Sequence, residues 1–159
     1  NLPNNLIQLN IQSVWFRYPL DKLPKNLKSL KVISSECMKL NCLPETLESL
    51  EIHSNLMPSL AKLPKTLSQL KINSAYFNDP LINLPSKLHS LMLSCCHKFD
   101  QPLNNLPPNL HTLHINSVKF NQPLDNLPIS MRSLQLTYCR EFNHPIPKLH
   151  ELLSVKIDV

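Results

Sequence analysis

Leucines recur on a fixed ruler along this chain. The pair Leu-Pro stands at Leu2, Leu23, Leu43, Leu63, Leu84, Leu106 and Leu127, at steps of 21, 20, 20, 21, 22 and 21 residues. After each pair the apolar positions follow L-P-x-x-L-x-x-L-x-[LIV], as in Leu23-Pro24, Leu27, Leu30 and Val32, or Leu106-Pro107, Leu110, Leu113 and Ile115. One unit substitutes Met131 for the middle leucine, and the C-terminal stretch keeps only Leu152, Val155 and Ile157, a worn eighth unit. Self-similarity at a fixed period marks stacked units rather than one globular core. The closing L-x-[LIV] step alternates apolar with polar, the two-residue period of a strand with one buried face. It predicts short strands at 8–12, 29–33, 49–53, 69–73, 90–94, 112–116, 133–137 and 154–158.

What lies between the strands limits how they connect. Each linking stretch holds the LP proline and, in most units, a second proline in F-x-x-P-[LI], as in FRYPLDKLP from Phe16, FNDPLINLP from Phe77, FDQPLNNLP from Phe99 and FNQPLDNLP from Phe120. Proline inside a helix costs roughly 3 kcal/mol. At most one turn can therefore start at the LP proline, whose fixed φ suits a first helical position. One strand per unit, always in the same direction, cannot make hairpins, so the chain must wind. The pattern predicts a single solenoid domain over residues 1–159 of about eight coils, starting near 2, 23, 43, 63, 84, 106, 127 and 148. Its strands form one parallel sheet on the concave face, and the convex face is irregular and proline-rich, with little or no helix. Phe16, Phe77, Phe99, Phe120 and Phe142 should stack as a spine, with Leu20, Leu81, Leu103, Leu124 and Ile146 beside them. Glu36 and Leu56 stand where this spine expects phenylalanine.

The alternation of F-N-x-P-[LI] with L-P-x-x-L-x-x-L-x-L resembles the FNIP repeat, a leucine-rich-repeat relative of social amoebae and giant amoebal viruses. The stretches FNDPLINLPSKLHSLML, FDQPLNNLPPNLHTLHI and FNQPLDNLPISMRSLQL carry the resemblance, which extends over essentially the whole chain and is weakest from Glu36 to Lys62. It implies a right-handed leucine-rich-repeat-like solenoid used to bind another protein, in several members joined to an F-box that docks to a ubiquitin ligase. No F-box pattern is visible in these residues. The LPxxLxxLxL half is also similar to repeats of secreted bacterial effectors, which lack the FNxP half.

Composition then narrows the class. A chain that is 42% hydrophobic and 17% charged is not a disordered tail, and no apolar run approaches the roughly 18 residues of a membrane span. Fifteen prolines against no glycine means that proline and asparagine make the turns. The first residue is Asn1 and no signal-type segment precedes the pattern, which suggests an excised piece. Five cysteines, Cys37, Cys42, Cys95, Cys96 and Cys139, form an odd, irregularly spaced set. That indicates neither a disulfide framework nor a zinc site, and favours a reducing, intracellular, cytoplasmic setting.

Candidate chemistry is sparse. His89 and His111 share a repeat position in adjacent coils, with His114 on the strand beside them, so three imidazoles could approach a zinc set. The alternative is drift at exposed repeat positions, since no reinforcing ligand spacing accompanies them. Cys95 and Cys96 could supply a nucleophile with His97 or His114 as base, but nothing orients such a pair and no glycine loop offers an oxyanion site. Cys95 instead falls in a column filled by Ser13, Ser34, Ser54, Ser74 and Ser117, small residues suited to bonding backbone between coils. The reading is a non-enzyme with no cofactor. A net charge of +5 raises nucleic-acid binding as the alternative, carried by Lys28, Lys31, Lys71, Arg132 and Lys156. Glu48 and Glu51 interrupt those cations, exposed aromatics are few, and no basic run tracks a phosphate backbone.

The columns of the repeat place the expected partner site. Three side chains of each strand should face outward on the concave sheet. The first column, Gln8, Ser29, Ser49, Gln69, Ser90, Thr112, Ser133 and Ser154, is small and polar and reads as structural. The other two vary in charge and size, with Ile33 and Met92 expected to be exposed. They yield a protein-binding face of Asn10, Lys31, Ile33, Glu51, His53, Lys71, Asn73, Met92, His114, Asn116, Gln135 and Lys156.

Overall fold

The computed structural model describes residues 2–16, 20–35, 42–55, 60, 62–148 and 153–158. Among them are eight strands, each of five residues: β1 Gln8–Gln12, β2 Ser29–Ile33, β3 Ser49–His53, β4 Gln69–Asn73, β5 Ser90–Ser94, β6 Thr112–Asn116, β7 Ser133–Thr137 and β8 Ser154–Asp158. They coincide with the strands expected from the L-x-[LIV] step. All pair in parallel and in chain order, forming one sheet, and no helix occurs among the described residues. The molecule is a parallel β-solenoid of the leucine-rich-repeat type.

Two hydrogen-bonded turns recur among the described residues. The first starts at the LP proline: its carbonyl accepts the N–H of the leucine three residues on, as in Pro24 to Leu27 (3.1 Å), Pro85 to Leu88 (3.0 Å) and Pro107 to Leu110 (3.1 Å). The expected single turn therefore forms and goes no further. The second lies past the strand, where Phe77 N–H bonds the carbonyl of Ser74 (3.1 Å) and Phe99 that of Cys96 (2.8 Å). These turns deliver the anchors inward. Leu27, Leu30 and Val32, with their counterparts through Met131, Leu134 and Leu136, are essentially fully buried.

The phenylalanine spine forms as parallel stacked rings. Phe77 and Phe99 lie 5.7 Å apart, and Phe99–Phe120 and Phe120–Phe142 6.0 Å apart, between ring centroids. Phe16 packs against the core partly buried, while Glu36 and Leu56 lie outside the described residues, as does Leu152. Leu60 joins the buried column of Leu20, Leu81, Leu103 and Leu124.

The polar residue after each phenylalanine is a rung. Asn78 Oδ1 accepts the N–H of Asp100 (2.9 Å), Asp100 Oδ1 that of Asn121 (2.9 Å), and Asn121 Oδ1 that of Asn143 (3.2 Å). The return path thus has side chains standing in for the backbone ladder that prolines deny it.

One column differs from expectation. Cys96 and not Cys95 continues the buried serine column, and Cys139 joins it. Cys95 and Tyr138 are single extra residues past β5 and β7, with φ of 52° and 55°. Each turns the next residue inward, where its N–H reaches the following coil: Cys96 to Asn116 (3.0 Å) and Cys139 to Asp158 (3.4 Å). Counting three residues back from each phenylalanine finds this position, whereas counting forward from the strand misses the insertion.

The hydroxyls of this column are unequal. Ser117 Oγ donates to the carbonyl of Phe99 at 2.8 Å, whereas Ser74 Oγ is buried with no hydrogen-bond partner. Ser117→Ala should therefore cost about 1–3 kcal/mol by orphaning a buried acceptor, and Ser74→Ala should be near neutral or stabilising. Urea unfolding of the two variants would check the contrast, and equal losses would refute it.

Candidate functional site

The sheet brings the two variable columns into register. Asn10, Lys31, Glu51, Lys71, Met92, His114, Gln135 and Lys156 line up across all eight strands. The next column runs Gln12, Ile33, His53, Asn73 and Ser94, then Asn116, Thr137 and Asp158. Its pairing is interrupted between Ser94 and Asn116, beside the extra Cys95. All twelve residues expected at the binding face occupy these outward positions. Ile33 and Met92 are half-buried rather than exposed, because neighbouring strands about 4.8 Å away flank them with long side chains.

Two polar groups form on this face. In the first, Glu51 Oε1 receives Lys71 Nζ at 3.0 Å, Lys31 Nζ at 3.4 Å and the Nε2–H of His53 at 2.6 Å. Burial alone would raise the Glu51 pKa, but the hydrogen bonds from His53 and Lys71, the Lys71 charge and the Lys31 hydrogen bond bring it down to about 2. In the second group, His114 Nε2 lies 2.9 Å from Thr137 Oγ1, which also accepts Asn116 Nδ2–H at 3.0 Å. Burial, then the charges of Lys156 and Lys71, lower the pKa of His114 and favour its neutral form. Met92 sits between the two groups, in register with Lys71 on one side and His114 on the other. The result is an apolar anchor flanked by fixed donors and acceptors.

The rim past the strands adds residues that the column reading passed over. Trp15 and Tyr76 are 70% and 69% exposed, each two residues beyond the serine column, and Tyr138 is exposed as well. These positions carry no inward anchor, which leaves their rings in solvent. A recess of about 190 Å³, lined by Val14, Ile33, His53, Asn55 and Asn73 among others, joins this rim to the sheet face. The sequence signal was available: large aromatics at positions where the repeat demands none.

The candidate chemistry is dispersed. His89 and His111 stack at 5.1 Å, while His114 turns to the sheet face and Thr137. Among the described residues no group of three or more His, Cys, Asp or Glu is placed to hold a metal ion. Burial pushes the Cys96 thiol up to about 11, far from the thiolate a nucleophile needs. Of the cations named for nucleic acid, Lys28 is tied to Glu48 at 2.9 Å and Lys31 and Lys71 share Glu51.

No protein-family model matches the chain, and no curated protein does. Among solved structures, the chain is similar to the giant-virus protein CroV588, described as a circular leucine-rich-repeat protein, with a TM-score of 0.78 and 27% identity. The likeness covers 98% of this chain and 24% of CroV588, so the chain spans about a quarter of that protein's length. No helix among the described residues is long and apolar enough to cross a membrane.

Proposed function

We propose that this chain is a non-catalytic docking module that holds a segment of a partner protein against the outward face of its sheet. The observation that carries this reading is Met92, half-buried between the Lys31–Glu51–Lys71–His53 group and the His114–Asn116–Thr137 group. Interfaces favour such an apolar anchor ringed by polar groups already fixed by mutual bonds, because less side-chain freedom is lost on binding. Asn10, Ile33, Asn73, Gln135 and Lys156 extend the face along the solenoid, and solenoids use such extended faces for binding. The FNIP resemblance adds a finer form of the proposal: substrate recognition within an F-box-type ubiquitin-ligase receptor, in an intracellular setting. Pairing of Lys28 with Glu48 and of Lys31 and Lys71 with Glu51 weighs against the nucleic-acid alternative, because two carboxylates offset most of the positive charge of these three lysines.

The test uses the ion network itself. Lys31→Glu, Glu51→Lys and Lys71→Glu together keep opposite charges adjacent while inverting the pattern seen by a partner; Met92→Ala removes the anchor. The combined variant should lose partner capture from source-cell extract, read by mass spectrometry, while its thermal unfolding stays near that of the parent. Normal capture by this variant, with loss of capture on substituting Lys119 and Asn121 on the return path, would refute the placement.

A further inference from the structure

The strands flanked on both sides, β2 to β7, carry the chemistry that a docked segment meets. Their outward positions hold two lysines, Lys31 and Lys71, and one carboxylate, Glu51, so this part of the face is positive. Glu51 Oε1 already receives Lys31, Lys71 and the Nε2–H of His53. An ammonium has three N–H donors, and one contact with Glu51 leaves the others of each lysine for a partner. The cluster therefore suits an anion, while a partner cation finds only a carboxylate that two lysines already flank. From Lys71 across to Thr137 no outward position of the sheet carries a negative charge.

Two apolar side chains interrupt this polar face, both half-buried. Ile33, with His53, Asn55 and Asn73, lines the recess of about 190 Å³, and Met92 stands beside Lys71 on the next strand. They are three strands apart, about 14 Å across the sheet. Ile33 stands one outward position further along its strand, so the line joining the two runs obliquely over β3 and β4 for about 16 Å. An extended chain advances about 3.3 Å per residue and turns every second side chain to the same side. Four residues cover about 13 Å, and two apolar side chains reach over the rest.

We propose that the segment docked on this face is extended and acidic, with apolar side chains at positions i and i+4 and an Asp or Glu at i+2. The proposal rests on the docking reading above and adds the chemistry of the occupant. The side chain at i enters the recess over Ile33, the one at i+4 packs on Met92, and the carboxylate between them takes the remaining N–H donors of Lys71. Side chains at i+1 and i+3 face solvent and are free to vary.

Panning a display library of random short peptides on the chain tests the pattern. Enriched peptides should carry Leu, Ile, Val, Met or Phe four residues apart, Asp or Glu midway, and no preference at the two positions between. Enrichment of Lys or Arg midway, of a different apolar spacing, or of nothing above the unpanned library overturns the proposal.

A pair of synthetic peptides, Ser-Leu-Thr-Glu-Thr-Leu-Ser and its Gln counterpart, isolates the charge by fluorescence anisotropy. The Glu peptide should bind about fivefold more tightly, the scale of an exposed ion pair, and added salt should shrink the difference. Lys71→Gln should bring the Glu peptide to the level of the Gln peptide and leave the Gln peptide unchanged, a pattern that a general loss of fold does not produce. Met92→Ala should weaken both alike. Equal affinity of the parent chain for the two peptides overturns the acidic assignment. If selected peptides of another chemistry lose binding on Met92→Ala, the docking face stands and its acidic occupant falls; if selected peptides bind parent and Met92→Ala alike, the face falls as well.

Discussion

Phe120→Ala should cost roughly 3 to 5 kcal/mol, the range of large-to-small changes at well-packed aromatic sites. Its ring is fully buried and stacked on both sides, at 6.0 Å from Phe99 and from Phe142, so truncation opens a void that neither neighbour can fill without leaving its own stack. Coils touch only adjacent coils, so the damage should be local, with the part beyond β6 unfolding ahead of β2 to β5. Hydrogen exchange would show this as lost protection in β7 and β8, and urea unfolding would give the magnitude. Phe142→Ala should cost less, because Phe142 is only partly buried. Asn121→Ala should fall near 1 kcal/mol, the usual worth of one hydrogen bond, because its Oδ1 supports the Asn143 N–H. Equal losses for Phe120→Ala and Asn121→Ala would refute the spine as the main source of coil-to-coil stability.

Acidification should strip a second increment of stability, through Glu51. Its pKa lies at about 2 against an ordinary 4.5, so the folded state holds the carboxylate charged where the unfolded chain would protonate it. The contribution is therefore complete above about pH 4.5 and is lost as the pH falls toward 2. The shift alone corresponds to roughly 3 kcal/mol, and screening of the partly exposed Lys31 and Lys71 reduces the expected effect to about 1–2 kcal/mol. Glu51→Gln should remove this part of the pH dependence and lower stability at neutral pH, leaving two lysines and His53 without the negative charge they share. Unfolding free energies of parent and variant between pH 2 and 7 would check it. Parallel curves over that range would exclude Glu51 as the titrating group.

The outward face of the sheet was legible in outline. Column reading placed Lys31, Glu51, Lys71, Met92 and His114 on one face because a strand alternates its side chains strictly, and the register of a stacked repeat follows from its period. What it could not show was that Glu51 gathers Lys31, Lys71 and His53 on one oxygen, or that Thr137 ties His114 to Asn116. Apart from the Glu51–His53 bond within β3, those contacts depend on side-chain directions across strands twenty or more residues apart. Trp15 and Tyr76 were overlooked for a different reason: a repeat template draws attention to the positions it fills and passes over those it leaves free.

The sequence by itself determined the strands, their order, the turn at each LP proline and the phenylalanine spine. Each rests on local rules: a two-residue alternation, a proline that lacks an N–H and a period that repeats the same anchors. The tertiary structure alone decided that Cys96 and Cys139 enter the buried column, because the extra residues Cys95 and Tyr138 adopt positive φ to keep the following residue in line with its neighbours. It also decided which hydroxyls are used, since Ser117 reaches the carbonyl of Phe99 while Ser74 is buried without a partner. The physical reason is common to both: whether a polar group finds its partner depends on the coil before it, and that relation exists only once the coils have stacked.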